Sequence, residues 1–235
     1  MDARTEGVEG LDSPFPSHIG WAAVTSDTLG VFTLDPAEAG LLSERCAARR
    51  RASFAMGRAA AVRALAAIGV ARVPVLAGEL GEPLWPAGVV GSISHTEGVA
   101  IACAGHGERV VGLGVDVERA DRCVRLDLVR RVCTDVERAW VEAGAGDDRR
   151  CRLLRLVAAK EATFKACFPL ARVFLGFADA ELVWSAAGDG FEGRLLRAVS
   201  AHHSAGTPYR ARVREVRGYV VASVELGRPV VAPSE

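Results

Sequence analysis

No run of the chain stays apolar for the roughly 20 residues that crossing a bilayer takes, so no membrane span is expected. Net charge is missing as well: 29 Lys plus Arg balance 29 Asp plus Glu. A neutral chain without an extended basic face offers no electrostatic case for a nucleic acid or a membrane surface, and any phosphate site must be local. The N-terminal MDARTEGVEGLDSPFP has neither the basic n-region nor the apolar h-region of a signal peptide. The six cysteines (Cys46, Cys103, Cys123, Cys133, Cys151 and Cys167) form no Cys-x-x-Cys pair and no Cys/His cluster. The expectation is a reduced, cytoplasmic protein with free thiols.

What is present is ordinary globular composition: 50 % apolar and 25 % charged residues over 235 positions, enough for one large domain or two modest ones. After a loose first dozen residues, HIGWAAV (His18 to Val24) reads as a strand. Asp35 as N-cap, Pro36 at the first helical position and Glu38 three residues past the cap predict a helix start. The Ala-, Leu- and Arg-rich stretch that follows ends at Gly69, as one helix broken near the arginine run or as two in tandem. Gly and Pro punctuate a loop from Gly78 to Gly91. SISH, GVAIACAG and RVVGLGVDVE are strand-like, with a tight connection or hinge at GHGER. The second half repeats the order. Helices lie within Asp121 to Cys167, and the strand-like runs RVFLGF, AELVW, GRLLRAV, YRARVREV and GYVVASVEL follow. Two similar α+β subdomains packed together, residues 1–110 and 111–235, are the expected fold.

Four groups of residues bear chemistry. Asp116 and Glu118, two apart in a strand, share a face opposite Val115 and Val117. Like charges so placed repel unless a divalent cation lies between them, and hard oxygen ligands suit Mg²⁺. On spacing alone, a polar strand end emerging into solvent explains the pair as well. In RLVAAKEATFKACF, Leu153, Val157, Phe164 and Phe168 form an apolar stripe, with Glu161 and Lys165 an i,i+4 pair beside it. That pair is either a surface ion pair or, with Lys160, a group suited to a phosphate and a metal together. The aspartates of the preceding GDDRRCRLL can cap this helix. GSISH (Gly91 to His95) offers Ser94 and His95 as donors where an extended segment ends. Arg49, Arg50 and Arg51, with Arg58 two turns on, either form a solvated face or converge on an anion.

Taken in order, these motifs resemble the Sfp-type 4′-phosphopantetheinyl transferases, in particular the branch similar to the enterobactin-synthetase enzyme. The resemblance rests on Gly81-Glu82-Pro83-Leu84-Trp85-Pro86, Gly91-Ser92-Ile93-Ser94-His95, Gly114-Val115-Asp116-Val117-Glu118 and Lys160-Glu161-Ala162-Thr163-Phe164-Lys165, and covers roughly Arg50 to Trp184. Two departures stand out. Leu156-Val157-Ala158-Ala159 replaces the usual aromatic or Phe-Ser before Lys-Glu, and Leu80 stands where some relatives carry Lys.

The resemblance implies an enzyme that moves phosphopantetheine from coenzyme A to a serine of an apo acyl, peptidyl or aryl carrier protein, releasing 3′,5′-ADP. It implies Mg²⁺ held by Asp116, Glu118 and Glu161. Glu161 takes the serine proton, directly or through a bound water, and Lys165 sits by the phosphate oxygens and stabilises the leaving group. Arg50, Arg58, Ser94, His95, Lys160 and Lys165 are the implied coenzyme contacts, between two halves of a monomeric pseudo-dimer. A Mg²⁺-dependent nuclease or phosphohydrolase, or a non-catalytic carrier-binding relative, would draw on the same residues.

Overall fold

The computed structural model, which describes residues 11–172 and 175–228, orders the chain as strand, helix and hairpin twice over. The first half holds β1 (Gly20–Thr25), two one-turn helices α1 (Ser26–Leu29) and α2 (Pro36–Ala39), and the long α3 (Ala48–Ala67). Short β2 (Leu76–Ala77) and β3 (Pro83–Leu84) then lead to the hairpin of β4 (Val89–Thr96) and β5 (Val99–His106). The second half begins with β6 (Val110–Arg119) and continues through α4 (Val129–Val132), α5 (Asp135–Glu142) and the long α6 (Asp147–Ala171). It closes with β7 (Ala180–Trp184), β8 (Gly190–Leu195), β9 (Pro208–Val216) and β10 (Tyr219–Gly227). Apart from the small β2-β3 pair, one sheet has the order β1-β5-β4 and the other β6-β10-β9-β8-β7. In each, the first strand pairs antiparallel with the last, and the last with its hairpin partner. The expected α+β repeat is therefore present in topology, although the halves share little sequence. No helix among the described residues is long and apolar enough to cross a membrane, and all six cysteines are free.

Period two along the strands sorts the core. On β5, Ala100 and Ala102 lie under α3 with Ala60, Ala64 and Leu65, while Val99, Ile101 and Cys103 join a cluster shared with β6 through Leu113, Val115 and Val117. On β10, Val220, Ala222 and Val224 lie under α6 with Leu154, Ala158 and Ala162. Both long helices present alanine to their sheets, and both sheets answer with glycine. A Cβ on Gly20 would run into the carbonyl of Ala64, and a Cβ on Gly112 or Gly114 into those of Ala166 and Ala162. The missing side chains let each helix backbone rest almost on the strand.

Several local expectations change. The capping box forms, with Asp35 Oδ1 accepting the Ala37 N–H at 2.8 Å and Glu38 Oε2 the Asp35 N–H at 3.2 Å, but the helix lasts one turn. The break falls at Gly40, and the arginine run lies inside α3. Gly69, at φ +79°, follows the C-cap as expected. Asp147 and Asp148 do not cap α6. Its N-cap is Gly146, and the two carboxylates instead complement the positive end of the helix dipole from the first turn. Within RVFLGF, Val173 and Phe174 lie outside the described residues, and Phe177 belongs to a 3₁₀ turn, Phe177–Asp179, rather than a strand. Residues 1–10 also lie outside the described residues. Leu11 is docked rather than loose: its carbonyl accepts from Trp21 Nε1 at 2.9 Å, and the Pro14 carbonyl accepts from Arg212 Nη1 at 3.1 Å. This segment ties the two sheets together.

The glycine seam yields a direct test. Gly114→Ala must push α6 off β6 and should cost roughly 1–3 kcal/mol in urea denaturation, the scale of core overpacking. Gly40→Ala, at an exposed αR position with only ordinary contacts around its Cβ, should be neutral or slightly stabilising.

Candidate active site

With Gly112 and Gly114 bringing α6 onto β6, the next two side chains on that face of the strand, Asp116 and Glu118, meet the helix where Glu161 and Lys165 stand. Asp116 is buried, at 5 % exposure. A carboxylate so placed needs partners, since stripping it of water unpaired is costly. Its Oδ1 accepts from Lys165 Nζ at 2.8 Å and from Ser94 Oγ at 2.8 Å. Lys165 also donates to the Val115 carbonyl at 3.0 Å. Asp116 Oδ2 is equally buried and has no hydrogen-bond partner among the described residues.

Glu161, one turn before Lys165, is half-buried, and its carboxyl is held above the usual carboxylate range. Burial is the main cause and repulsion from Asp116 the next; Lys165 opposes the shift, Glu118 adds to it and Arg122 opposes it. Glu118 forms an ion pair with Arg122. Among the described residues, no three His, Cys, Asp or Glu side chains stand ready as a metal cage. The donor chemistry nevertheless suits a hard divalent cation: an orphaned buried carboxylate oxygen lies beside a second carboxylate whose charge is already disfavoured.

An imidazole and a guanidinium rim this acidic centre. His95, next after Ser94 on β4, points the opposite way and reaches solvent. Protein atoms around it still remove part of its hydration, which lowers its pKa. Lys165 and Arg50 push it further down, while its own backbone hydrogen bond and Asp116 oppose them. Arg50 itself is exposed in the first turn of α3.

Two of the residues singled out in the sequence do not join this group. Arg58 is buried with its guanidinium carbon 4.3 Å from the centre of the Phe54 ring, and its Nε lies 3.8 Å from Glu38 Oε1. Burial lowers its pKa, and Glu38 opposes the shift. Lys160 turns into the core, where Nζ pairs with Glu137 at 2.7 Å and donates to the carbonyls of Phe177 at 2.5 Å and Ala180 at 3.1 Å. Held by one ion pair and two carbonyls and with its side chain only 2 % exposed, it is turned away from the phosphate side of the cleft. Leu80 is an exposed loop residue whose N–H donates to Glu82 at 3.1 Å.

Sequence reasoning missed Glu137 and Arg122, and it read Glu38 only as part of a helix start, not as the partner of Arg58. A signal for the first was available in Thr134-x-x-Glu137, a capping box that forms here, with Glu137 Oε2 accepting the Thr134 N–H at 2.7 Å. A second signal lay in composition. Lys160 and Lys165 are the only lysines in the chain.

The α+β fold is that of a phosphopantetheine-transferring enzyme, as comparison with known proteins shows. Residues 37–105 match the family model described as the 4′-phosphopantetheinyl transferase N-terminal domain, and residues 112–223 match the 4′-phosphopantetheinyl transferase superfamily. The two matched segments flank the turn between β5 and β6. The chain belongs to this superfamily. It is 35 % identical over 217 residues to the 4′-phosphopantetheinyl transferase PptT of Mycobacterium tuberculosis, covering 88 % of this chain and 92 % of that protein. It is 37 % identical over 150 residues to the 4′-phosphopantetheinyl transferase Npt of Nocardia iowensis, covering 63 % and 65 %. Enterobactin synthase component D of Escherichia coli O157:H7 is 35 % identical over 119 residues, covering 50 % and 55 %.

Lys160→Ala would strand the buried Glu137 carboxylate and should cost about 3–5 kcal/mol in denaturant unfolding. The double variant Glu137→Gln/Lys160→Met should recover most of that loss. A phosphate-binding lysine would instead raise the KM for coenzyme A at unchanged stability.

Proposed function

We propose that the protein transfers the 4′-phosphopantetheine group of coenzyme A to a serine hydroxyl of an apo carrier protein, releasing 3′,5′-ADP. The observation that carries this reading is the buried, half-partnered Asp116 beside Glu161 and Lys165, with His95 and Arg50 at the rim, in a chain of this superfamily. Such a transfer forms a bond from the serine oxygen to the pantetheine-bearing phosphorus and breaks the pyrophosphate linkage. It asks mainly for positioning and charge neutralisation. Glu161, whose carboxyl holds its proton more tightly than usual, takes the serine proton. Lys165 faces the phosphate oxygens with its charge, His95 offers them an imidazole N–H, and Arg50 extends the rim towards the 3′-phosphate. Mg²⁺ would be held by Asp116 Oδ2 and Glu161, with Glu118 joining them on exchanging Arg122 for the ion. When bound it neutralises charge on the pyrophosphate.

A cavity of about 120 Å³ opens beside Glu161, walled by Phe164, Cys167, Leu175, Phe177 and Leu195. These apolar side chains suit the pantetheine arm, while Lys160, Glu161 and Asp179 supply charge elsewhere on the lining. Both halves of the pseudo-repeat contribute to the centre, Ser94 from one and Asp116 from the other, so we read the working unit as a monomer.

Intact mass of an apo carrier protein incubated with this protein, coenzyme A and Mg²⁺ should rise by one phosphopantetheine. EDTA should abolish the gain, and Glu161→Gln should slow it by about 100-fold or more. Hydrolysis of coenzyme A with the carrier unmodified would favour a phosphohydrolase, and coenzyme A binding with neither reaction would favour a carrier-binding relative.

A further inference from the structure

Ser94 is the hydroxyl that the other sheet brings to Asp116. β4 and β6 are edge strands of their two sheets and share no ladder. In place of a ladder, Ser92 Oγ accepts the Val115 N–H at 3.1 Å and Ser94 Oγ accepts the Val117 N–H at 3.3 Å. The two serines, two apart on β4, thus make the same bond to backbone groups two apart on β6. They differ in one respect: only Ser94 touches a carboxylate.

That difference fixes a hydrogen. A serine hydroxyl has one proton, and the Ser94 oxygen already accepts from Val117, so the proton points to Asp116 Oδ1, 2.8 Å away. Lys165 donates to the same oxygen. Both donors fall on Oδ1, and Oδ2 is left bare and buried. We propose that Ser94 is a positioning residue which, with Lys165, selects Oδ2 as the oxygen of Asp116 presented to the divalent ion, and that it is not a contact for the coenzyme's phosphates. Strand alternation supports the second half of this statement: Ser94 points inward and is 7 % exposed, while His95 points out to the rim. The inference rests on the metal-dependent transfer proposed above.

Outer hydrogen bonds that orient a metal ligand are typically worth 10–100-fold in metal affinity. Ser94→Ala should therefore weaken Mn²⁺ binding to the free enzyme, followed by the electron paramagnetic resonance of unbound ion, by about 10-fold or more. It should raise the Mg²⁺ concentration for half-maximal transfer in parallel and leave the KM for coenzyme A within about twofold at saturating Mg²⁺. Ser94→Thr, which keeps the hydroxyl, should restore binding. Ser92→Ala, which breaks the twin backbone bond without touching Asp116, should lower Tm about as much as Ser94→Ala while leaving Mn²⁺ affinity unchanged. Should Ser94→Ala not fold, Ser94→Cys, a weak donor of similar size, is compared with Ser94→Thr in the same way. Equal effects of Ser92→Ala and Ser94→Ala on Mn²⁺ affinity would reduce Ser94 to a structural bond and overturn the inference. So would a raised KM for coenzyme A with Mn²⁺ affinity intact. Wild-type transfer that needs no divalent ion would remove the metal reading itself, a failure visible before any variant is made.

Discussion

A carboxylate taken out of water between a strand and a helix is the constraint on which this structure turns. Asp116 is tolerable only while donors reach it, and each donor imposes a condition on the fold. Lys165 must hang from α6 within hydrogen-bond range of β6, which requires the helix to lie closer to the strand than side chains normally permit. Gly112 and Gly114 meet that condition, backed by Ala162 and Ala166. Ser94 must arrive from the other sheet, which requires the two edge strands to lie side by side without a ladder. The wedge of apolar residues from Ile101 to Val221 and the N-terminal segment from Leu11 to Phe15 hold them there. The pseudo-repeat supplies this geometry: the first strand of one half stands beside the hairpin of the other.

The parts legible in sequence are those whose partners are close along the chain or fixed by period. Asp116 and Glu118 share a face because strands alternate, and Glu161 and Lys165 because helices repeat every 3.6 residues. The capping box at Asp35 needs only four residues. The errors share an origin. Lys160 adjoins Glu161 in sequence, but one residue of helix is about 100° of rotation, enough to send one side chain into the core and the other to the cleft. Its true partner, Glu137, is on another helix, and no local pattern joins them. Arg58 follows the arginine run by two turns, yet Glu38 and Phe54 hold it inside. Ser94 and His95 read as one donor pair, whereas alternation makes them opposites.

The centre is acidic inside and basic at its edge, and the interior alone does not balance. Asp116, Glu118 and Glu161 bring three carboxylates towards one place, answered there by Lys165 and, at the outer side, by Arg122. The imbalance appears where a further proton or cation is most welcome, at Glu161, whose ionisation is held back by burial and by its acidic neighbours. Arg122, half-exposed and on a turn, is a partner that Glu118 can exchange at little cost, because ion pairs at solvent are weak. Lys165 and Ser94 are fixed by further bonds to backbone, so the Asp116 end of the centre is rigid and the Glu118 end adjustable.

The scarcity of lysine follows from the same chemistry. Arginine meets nearly every cationic need of this chain, and at the surface its fork suits carboxylates such as Asp121 and Asp127. At positions 160 and 165 the requirement differs. Each ammonium must satisfy a carboxylate and one or more backbone carbonyls packed around a single point, with little room. A planar guanidinium would spread five donors over a wider area and leave several unpaired in the interior, whereas an ammonium is a compact point with three. Placed five residues apart on α6, the two ammonium groups do opposite things. Lys160 is used up in fixing the helix to α5 and to the turn before β7, while Lys165, still about a quarter exposed, keeps one side open to whatever enters the cleft.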